Sequence, residues 1–247
     1  MLSYEVLSLI SLAFLLGGFV KGVVGLGVPV VVLAILVTTV GLKETMALLL
    51  VPTIIMNIWQ GLSGGAFLML IKRLWLKLLC ACVGIWWGVK VLVRVDTDLM
   101  VLGLGVILFI YAAFSLVRPQ ISPPGKHEFW LSPIVGAVAG FAFGASGTYM
   151  VPGVLYLQAL GLTRDQLIQA LGITFFITAL MLGVAFWQHG LLNFQTGWVS
   201  AAAFVPLSLG VYLGRRYRYS LSEEMFRKIF FMALMIVGIY MVVRVLF

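Results

Sequence analysis

Apolar residues run along this chain in ten stretches, separated by short polar or glycine-containing breaks. The absence of strict alternation between apolar and polar positions argues against an outer-membrane barrel and favours helices. Several stretches approach the roughly 20 residues that cross a bilayer. An all-α integral membrane protein is therefore predicted. Its ten apolar segments are placed at residues 2–20, 28–42, 45–62, 74–93, 99–117, 129–143, 149–162, 166–187, 195–213 and 225–246.

The opening segments of each half differ from the others in length. The second, sixth and seventh segments are short for a straight crossing, and the sixth carries Pro133. Each half of the chain is therefore expected to begin with a helix pair that meets at a glycine-rich break. This pair either crosses the membrane twice or dips in and returns as a re-entrant hairpin.

Composition agrees with a membrane location. The chain is 63% hydrophobic and only 10% charged, whereas a soluble domain carries roughly 25% charged residues. The net charge of +8 is assigned to cytoplasmic loops, where basic residues of membrane proteins collect. The lipid bilayer is thus an expected partner, and nucleic acid is not.

The distribution of basic residues favours one topology. If each opening pair ends on the side where it began, Lys21, Lys77 and ten other basic residues of the 16 fall on one side. The other side then receives only Lys43, Lys90, Arg94 and Arg244. By the positive-inside rule the first side is cytoplasmic. Each half then makes an odd number of crossings, which predicts two inverted repeats in a multi-pass protein of the bacterial inner membrane.

The boundary between the repeats is predicted at the longest polar stretch, which is rich in proline. The first repeat is placed at residues 1–118, a cytoplasmic linker at 119–128 and the second repeat at 129–247. Each repeat contains about five apolar segments.

One glycine-rich phrase occurs twice, at a constant offset of 122 residues. The matching pairs are Gly18 with Gly140, Phe19 with Phe141, Gly22 with Gly144, and Gly25 with Gly147. Both copies lead to a proline, Pro29 or Pro152. Glycine-broken apolar segments at corresponding places in two halves indicate the binding site of a secondary transporter.

The breaks allow two interpretations. Spacings such as Gly18 to Gly22 let two helices approach closely, whereas an unwound helix N-terminus presents free N–H groups that suit an anion. Lys21 is either a ligand for that anion or a side chain that reaches the cytoplasmic interface. The candidate ligands in the breaks are Lys21, Gly22, Gly25, Gly27, Gly144, Ser146, Gly147 and Thr148.

A second polar set lies on the third and eighth segments. Asn57 and Gln60 follow Pro52 and Thr53, and Thr174 and Thr178 repeat the spacing of four residues that puts two side chains on one helix face. These groups either tie helices together or line a cavity for the ligand. Asn57, Gln60, Thr174 and Thr178 are therefore added to the candidate site.

Motifs of other function classes are absent from the sequence. It contains no HExxH or GxSxG motif and no glycine-rich nucleotide loop followed by lysine. Cys80 and Cys82 point to different faces of a helix and do not form a CxxC pair. No enzyme activity, cofactor or metal is expected.

The paired phrases resemble the sulfite exporter TauE/SafE family of membrane permeases. The resemblance rests on residues 18–27, on residues 140–147 with Val151 and Pro152, and on the similar course of the segments that follow. It implies duplicated halves and transport of a sulfur-containing anion such as sulfite or a sulfonate. The sequence departs from the family pattern at Thr148, Tyr149 and Met150, where further glycines are expected.

The sequence therefore predicts a secondary transporter that exports a small anion, with a proton or sodium ion as a possible coupling ion. The substrate is expected near the bilayer midplane between the two glycine-rich breaks, with the repeats rocking to alternate access. A passive anion channel and, further away, a membrane-embedded enzyme or thiol relay are the alternatives. The oligomeric state is left open.

Overall fold

A computed structural model describes residues 3–117, 122–217 and 223–246, and α-helix dominates these ranges. The helices are α1 Tyr4–Val24, α2 Val28–Leu36, α3 Leu42–Leu62, α4 Phe67–Arg94, α5 Thr97–Val117, α6 Glu128–Ser146, α7 Leu155–Ala159, α8 Arg164–Gln188, α9 Phe194–Tyr217 and α10 Glu223–Leu246. A 3₁₀ turn at Gly125–His127 precedes α6, and a π-helical turn at Met150–Val154 leads into α7. The all-α prediction is confirmed.

Eight helices in the described part of the chain are long and apolar enough to cross a membrane. The two exceptions are α2, with 9 residues, and the short apolar stretch Met150–Ala159. At about 1.5 Å per residue α2 rises roughly 13 Å, about half of the ~30 Å hydrocarbon core. Met150–Ala159 has 10 residues with non-helical backbone at Val151 and is likewise too short for a helical crossing. The predicted shortness of the second and seventh segments is thus confirmed, whereas that of the sixth was wrong, since α6 has 19 residues and continues apolar past residue 143.

The largest boundary error lies at α4, which begins at Phe67 rather than at residue 74. Lys72 and Arg73 interrupt the apolar run in the sequence, yet both continue the helix. Hydrophobic periodicity does not detect a helical turn that carries polar side chains.

Local sequence sets several helix ends. Ser3 caps α1 by accepting from the Val6 N–H. Thr163 and Gln166 form a reciprocal capping box at the start of α8, with N–H to side-chain oxygen distances of 3.1 and 3.3 Å. Side-chain caps of this kind satisfy N–H groups that have no partner within the helix.

The helices form two compact units. Unit 1 comprises the described residues of Met1–Pro52, Thr97–Arg118 and Leu191–Phe247, and unit 2 those of Thr53–Asp96 and Pro119–Gly190. The units cut across the predicted repeats, because each takes helices from both halves of the sequence. The proposed division into repeats at 1–118, 119–128 and 129–247 remains a prediction about sequence symmetry.

Unit 1 is built around the contact of α1 with α9. A Cβ on Gly18 would collide with the carbonyl oxygen of Leu207, and a Cβ on Gly210 would collide with that of Leu15. Gly22 and Gly214 make the same kind of backbone contact farther along. Elsewhere in the unit α5 packs on α10, and α2 packs on α1.

Unit 2 is built around the contact of α4 with α6. A Cβ on Gly140 would collide with the carbonyl oxygen of Ala81, and a Cβ on Gly84 would collide with that of Ala137. Gly88 and Gly144 continue this crossing. The contacts match those of unit 1 residue by residue, at an offset of 122 for the first helices of the halves and 126 for the fourth.

Candidate functional site

The first glycine-rich break joins α1 to α2 within unit 1. Gly25 ends α1 with φ of 96°, and Gly27 precedes α2 with φ of 113°. This left-handed region is freely open only to glycine. Val28 and Pro29 then begin α2, and no side chain caps its first N–H groups. The break thus ends in a half-length helix with an uncapped N-terminus.

Lys21 and Gly22 lie in the last turn of α1. Gly22 faces α9, where a Cβ would meet the backbone of Val211 and Gly214. Lys21 is half-buried, and the charge that acts on it is the exposed guanidinium of Arg215. Gly22 therefore has a packing role, and the ligand roles of both residues remain predictions.

The second break lies at the tip of the hairpin formed by α6 and the Met150–Ala159 helix, in unit 2. Ser146, Gly147, Thr148 and Tyr149 are all buried there. Gly147 ends α6 with φ of 76°, and the Val151–Pro152 peptide bond is cis.

Three of the predicted ligands in this second break already have protein contacts. Ser146 Oγ donates to the Ala142 carbonyl at 2.7 Å, and Thr148 Oγ1 accepts from the Met150 N–H at 3.5 Å. Gly144 lies against Ile85 of α4, where a Cβ would collide with the backbone carbonyl. The long bond to Thr148 leaves its hydroxyl the weakest held of these groups.

The base of this hairpin is closed by Arg73 of α4. Its guanidinium binds the Glu128 carboxylate through two hydrogen bonds of 2.6 and 2.7 Å, and it donates to the Leu160 carbonyl at 3.0 Å. Glu128 begins α6, and Leu160 follows α7. The hairpin therefore returns to the edge of unit 2 where it began. Its second arm, Met150–Ala159, is much shorter than its first, Glu128–Ser146.

Lys77 occupies a place that the sequence analysis missed. It lies on α4, one turn after Arg73, and is fully buried at 0% exposure. Its Nζ lies 3.2 Å from Tyr149 Oη and 5.1 Å from the centroid of that ring. Its backbone approaches α6 closely because Gly136 carries no side chain. The sequence analysis counted Lys77 with the cytoplasmic side, which remains a prediction, and did not foresee that α6 covers the side chain.

Tyr149 is held on several sides at the hairpin tip. Its ring packs edge-on against Phe143 and Phe175, with centroid distances of 6.1 and 6.2 Å. Gly153 leaves room for the ring, since a Cβ there would collide with it. Through Phe175, the tip contacts the part of α8 that carries Thr174 and Thr178.

The second predicted polar set lies on α3 and α8 in unit 2. Asn57 Nδ2 donates to the Thr53 carbonyl at 2.7 Å, and Thr178 Oγ1 donates to the Thr174 carbonyl at 2.8 Å. Asn57 Oδ1 and Thr174 Oγ1 are buried, with no hydrogen-bond partner among the described residues. These two oxygens are thus available to a ligand.

Gln60 serves a different purpose. Its amide donates to the Ile168 carbonyl at 2.9 Å, while Gln169 of α8 bridges the Gly61 carbonyl and the Ala66 N–H. Reciprocal contacts of this kind tie two helices together in a membrane. Gln60 lies at a helix contact, and its role as a ligand remains a prediction.

A cavity of about 320 Å³ lies between α3, α4 and α8 within unit 2. Asn57 is the one polar side chain in a lining otherwise made of Ile58, Gly61, Leu62, Phe67, Ile71, Ile173, Phe176 and Ile177. Such a wall suits an apolar chain better than an anion. The donors that suit an anion lie at the hairpin tip instead.

Comparison with known proteins gives one match. A family model described as sulfite exporter TauE/SafE matches residues 10–241, nearly the whole chain. Searches of curated proteins and of solved structures found no significant match.

Proposed function

The chain belongs to the sulfite exporter TauE/SafE family, and from this membership we propose that it is a secondary transporter that exports a small anion. Multi-pass membrane transporters make up this family, so a permease is favoured over an enzyme. The proposed substrate is a sulfur-containing anion such as sulfite or an organosulfonate. The proposed location is the inner membrane of a bacterium.

The observation that carries the proposal is the pair of half-length helices that follow the glycine-rich breaks. Helix α2 and the Met150–Ala159 stretch begin at Gly27 and Tyr149 without side-chain caps. Broken helices that end inside an apolar protein are a recurrent means of binding substrate in secondary transporters. The uncapped N–H groups and positive dipole end of α2 favour an anion, whereas in the second stretch the Met150 N–H already donates to Thr148 Oγ1.

The crossing count supports alternating access. If each opening pair counts as no net crossing, the three long helices that follow it in each half leave an odd number. The second half is then inverted relative to the first, and exchange of two inverted states gives alternating access. The return of the α6–α7 hairpin to its starting edge, through Arg73, supports this count for the second half.

Transport is proposed to be driven by the membrane potential or by a gradient of the substrate or of a coupling ion. The sequence contains no ATP-binding loop. An anion that moves outward across an inside-negative membrane gains about 2.3 kcal/mol per charge at 100 mV. A proton or sodium gradient is a further candidate for coupling.

The test is sulfite transport into proteoliposomes that contain the purified protein. A carrier exchanges substrate, so internal sulfite should accelerate uptake of labelled external sulfite. A passive channel gives no such acceleration, and protein-free liposomes report the leak. Absence of flux for sulfite, sulfate and taurine would contradict the substrate class.

The thiol relay is tested in the same assay. Cys80 and Cys82 are half-buried and unpaired on α4. A double replacement by alanine should leave transport intact. Loss of transport in a folded double variant would favour the relay.

A further inference from the structure

Lys77 brings a positive charge into unit 2 without a carboxylate to balance it. Among the described residues its ammonium has one hydrogen-bond partner, the neutral Tyr149, and no acidic group lies within ion-pair distance. One turn away, Arg73 is already paired with Glu128. Burying an ammonium without a counter-charge is costly. Once protonated, the Lys77 amine therefore lacks one compensating negative charge.

The hydrogen-bonding groups of Lys77 and Tyr149 also favour an anion. An ammonium has three donors and no acceptor, and one of those of Lys77 is used by Tyr149 Oη. The Tyr149 hydroxyl also carries a proton, and this proton has no hydrogen-bond acceptor among the described residues. The free groups of this pair are therefore donors, which suit the oxygen atoms of an anion.

The direction of these donors is set by packing. Phe143 and Phe175 contact the Tyr149 ring, and Gly153 leaves space for it. Tyr149 is only 1% exposed. Because the ring is fixed, its hydroxyl holds the Lys77 amine at the hairpin tip, where α4 packs on α6.

A purely structural role for Lys77 is not required by the helix crossing. In unit 1 the matching crossing of α1 with α9 has Ala203 in place of Lys77 and Phe14 in place of Gly136. Both residues are buried there, at 4% and 0% exposure. The crossing of α1 with α9 is thus formed without an amine at this position. Unit 2 differs from unit 1 here by the amine of Lys77.

We propose that Lys77 Nζ and Tyr149 Oη form the charged part of an anion-binding site in unit 2, and that a small oxyanion binds to both. This rests on the proposed function, since the anion meant is the transported one. The ammonium supplies the compensating charge, and the phenol supplies a second hydrogen bond. Asymmetry between the units follows, because Ala203 offers neither.

The test measures sulfite binding to purified protein by calorimetry and by thermal shift, with sulfate, taurine and chloride for comparison. Lys77→Met keeps the length of the side chain and removes the charge. Loss of a charge-assisted hydrogen bond should weaken sulfite binding roughly ten- to a hundred-fold. Tyr149→Phe removes one neutral hydrogen bond and should weaken it about two- to ten-fold. Lys72→Met, at an exposed position of the same helix, should bind within about two-fold of wild type.

The apo proteins provide a second readout. Removal of an uncompensated buried charge should leave the Tm of Lys77→Met equal to or above that of wild type, and added sulfite should raise the wild-type Tm more than that of the variant. If Lys77→Met does not fold, Tyr149→Phe carries the test, since it removes a single oxygen.

The two proposals fail in different ways. Binding of sulfite by both folded variants within two-fold of wild type overturns the Lys77–Tyr149 site and leaves the transporter standing. If the wild type binds none of sulfite, sulfate and taurine, the proposed function is overturned together with the site. Weaker sulfite binding in Lys77→Met, but not in Lys72→Met, supports both the site and the proposed transporter.

Discussion

The Ser200 hydroxyl of α9 donates a 2.7 Å hydrogen bond to the Leu48 carbonyl of α3. In an uninterrupted helix this carbonyl would accept from residue 52, but Pro52 has no N–H. Ser200 Oγ also accepts from the Val51 N–H at 3.3 Å. One buried hydroxyl in unit 1 thus satisfies backbone groups that the proline disturbs.

Ser200→Ala is therefore expected to destabilise the protein by about 1–3 kcal/mol, the cost of leaving a buried backbone carbonyl unpaired. The measurement is the unfolding midpoint of the purified protein in one detergent. Ser208→Ala is the matched control on the same helix, because Ser208 donates only to the Phe204 carbonyl of its own helix. A control effect as large as that of Ser200→Ala would contradict the assignment.

Gly140→Ala should weaken the crossing of α4 with α6, since its Cβ would collide with the Ala81 carbonyl oxygen. Overpacking of this kind costs typically about 1–3 kcal/mol. Gly18→Ala should act in the same direction on unit 1, against Leu207. Thermal unfolding of both variants provides the measurement.

The control for the glycine series is Gly183→Ala on α8, where the added Cβ meets no atom within 4 Å. Alanine has the higher helix propensity, so this variant should be neutral or up to about 1 kcal/mol more stable. Equal losses at Gly183 and Gly140 would mean that the close crossing is not the cause.

Lys21→Met tests the ligand role predicted for the first break. If the ammonium contacts the anion, sulfite affinity should fall by roughly ten- to a hundred-fold. Arg216→Met removes an exposed charge near the same end of unit 1 and should leave affinity within two-fold. Wild-type affinity in well-expressed Lys21→Met protein would remove Lys21 from the site and make it a side chain that reaches the interface.

Cysteine labelling tests the topology. In a background without Cys80 and Cys82, cysteines at Lys126 and Thr163 flank the α6–α7 hairpin. If this hairpin is re-entrant, both should react from the cytoplasmic side only. A cysteine at Thr97 should react only from the opposite side. Cysteines at Gln120 and Ser220, which lie outside the described residues, are also expected to be cytoplasmic. Opposite labelling of Lys126 and Thr163 would make the hairpin a single crossing.

The number and approximate position of the helices could be predicted, because a bilayer imposes length and polarity on every segment. The glycine-rich breaks could be predicted as well, since Gly25 and Gly147 stand in left-handed conformations that few other residues adopt. The helices against which these glycine-containing helices pack could not be predicted. A close-packing glycine in one helix does not specify which other helix supplies the backbone.

A usable signal for the partners was present, however. Gly84 and Gly88 on α4, and Gly210 and Gly214 on α9, have the same spacing as the glycines they contact. Lys77 was beyond prediction for another reason. Its burial depends on Gly136 of a distant helix, whereas a count of charges treats a lysine near the end of an apolar run as solvated.

The pairing of α1 with α9 has a consequence for biosynthesis. About 170 residues separate Val24 from Phe194, so at roughly 5–20 residues per second the first helix waits some ten to thirty seconds for its partner. Meanwhile its glycine face has no matching backbone, whereas α4 meets α6 far sooner. The central crossing of unit 2 can thus form while α8 and the later helices are still being synthesised, whereas that of unit 1 must await α9 near the end of translation.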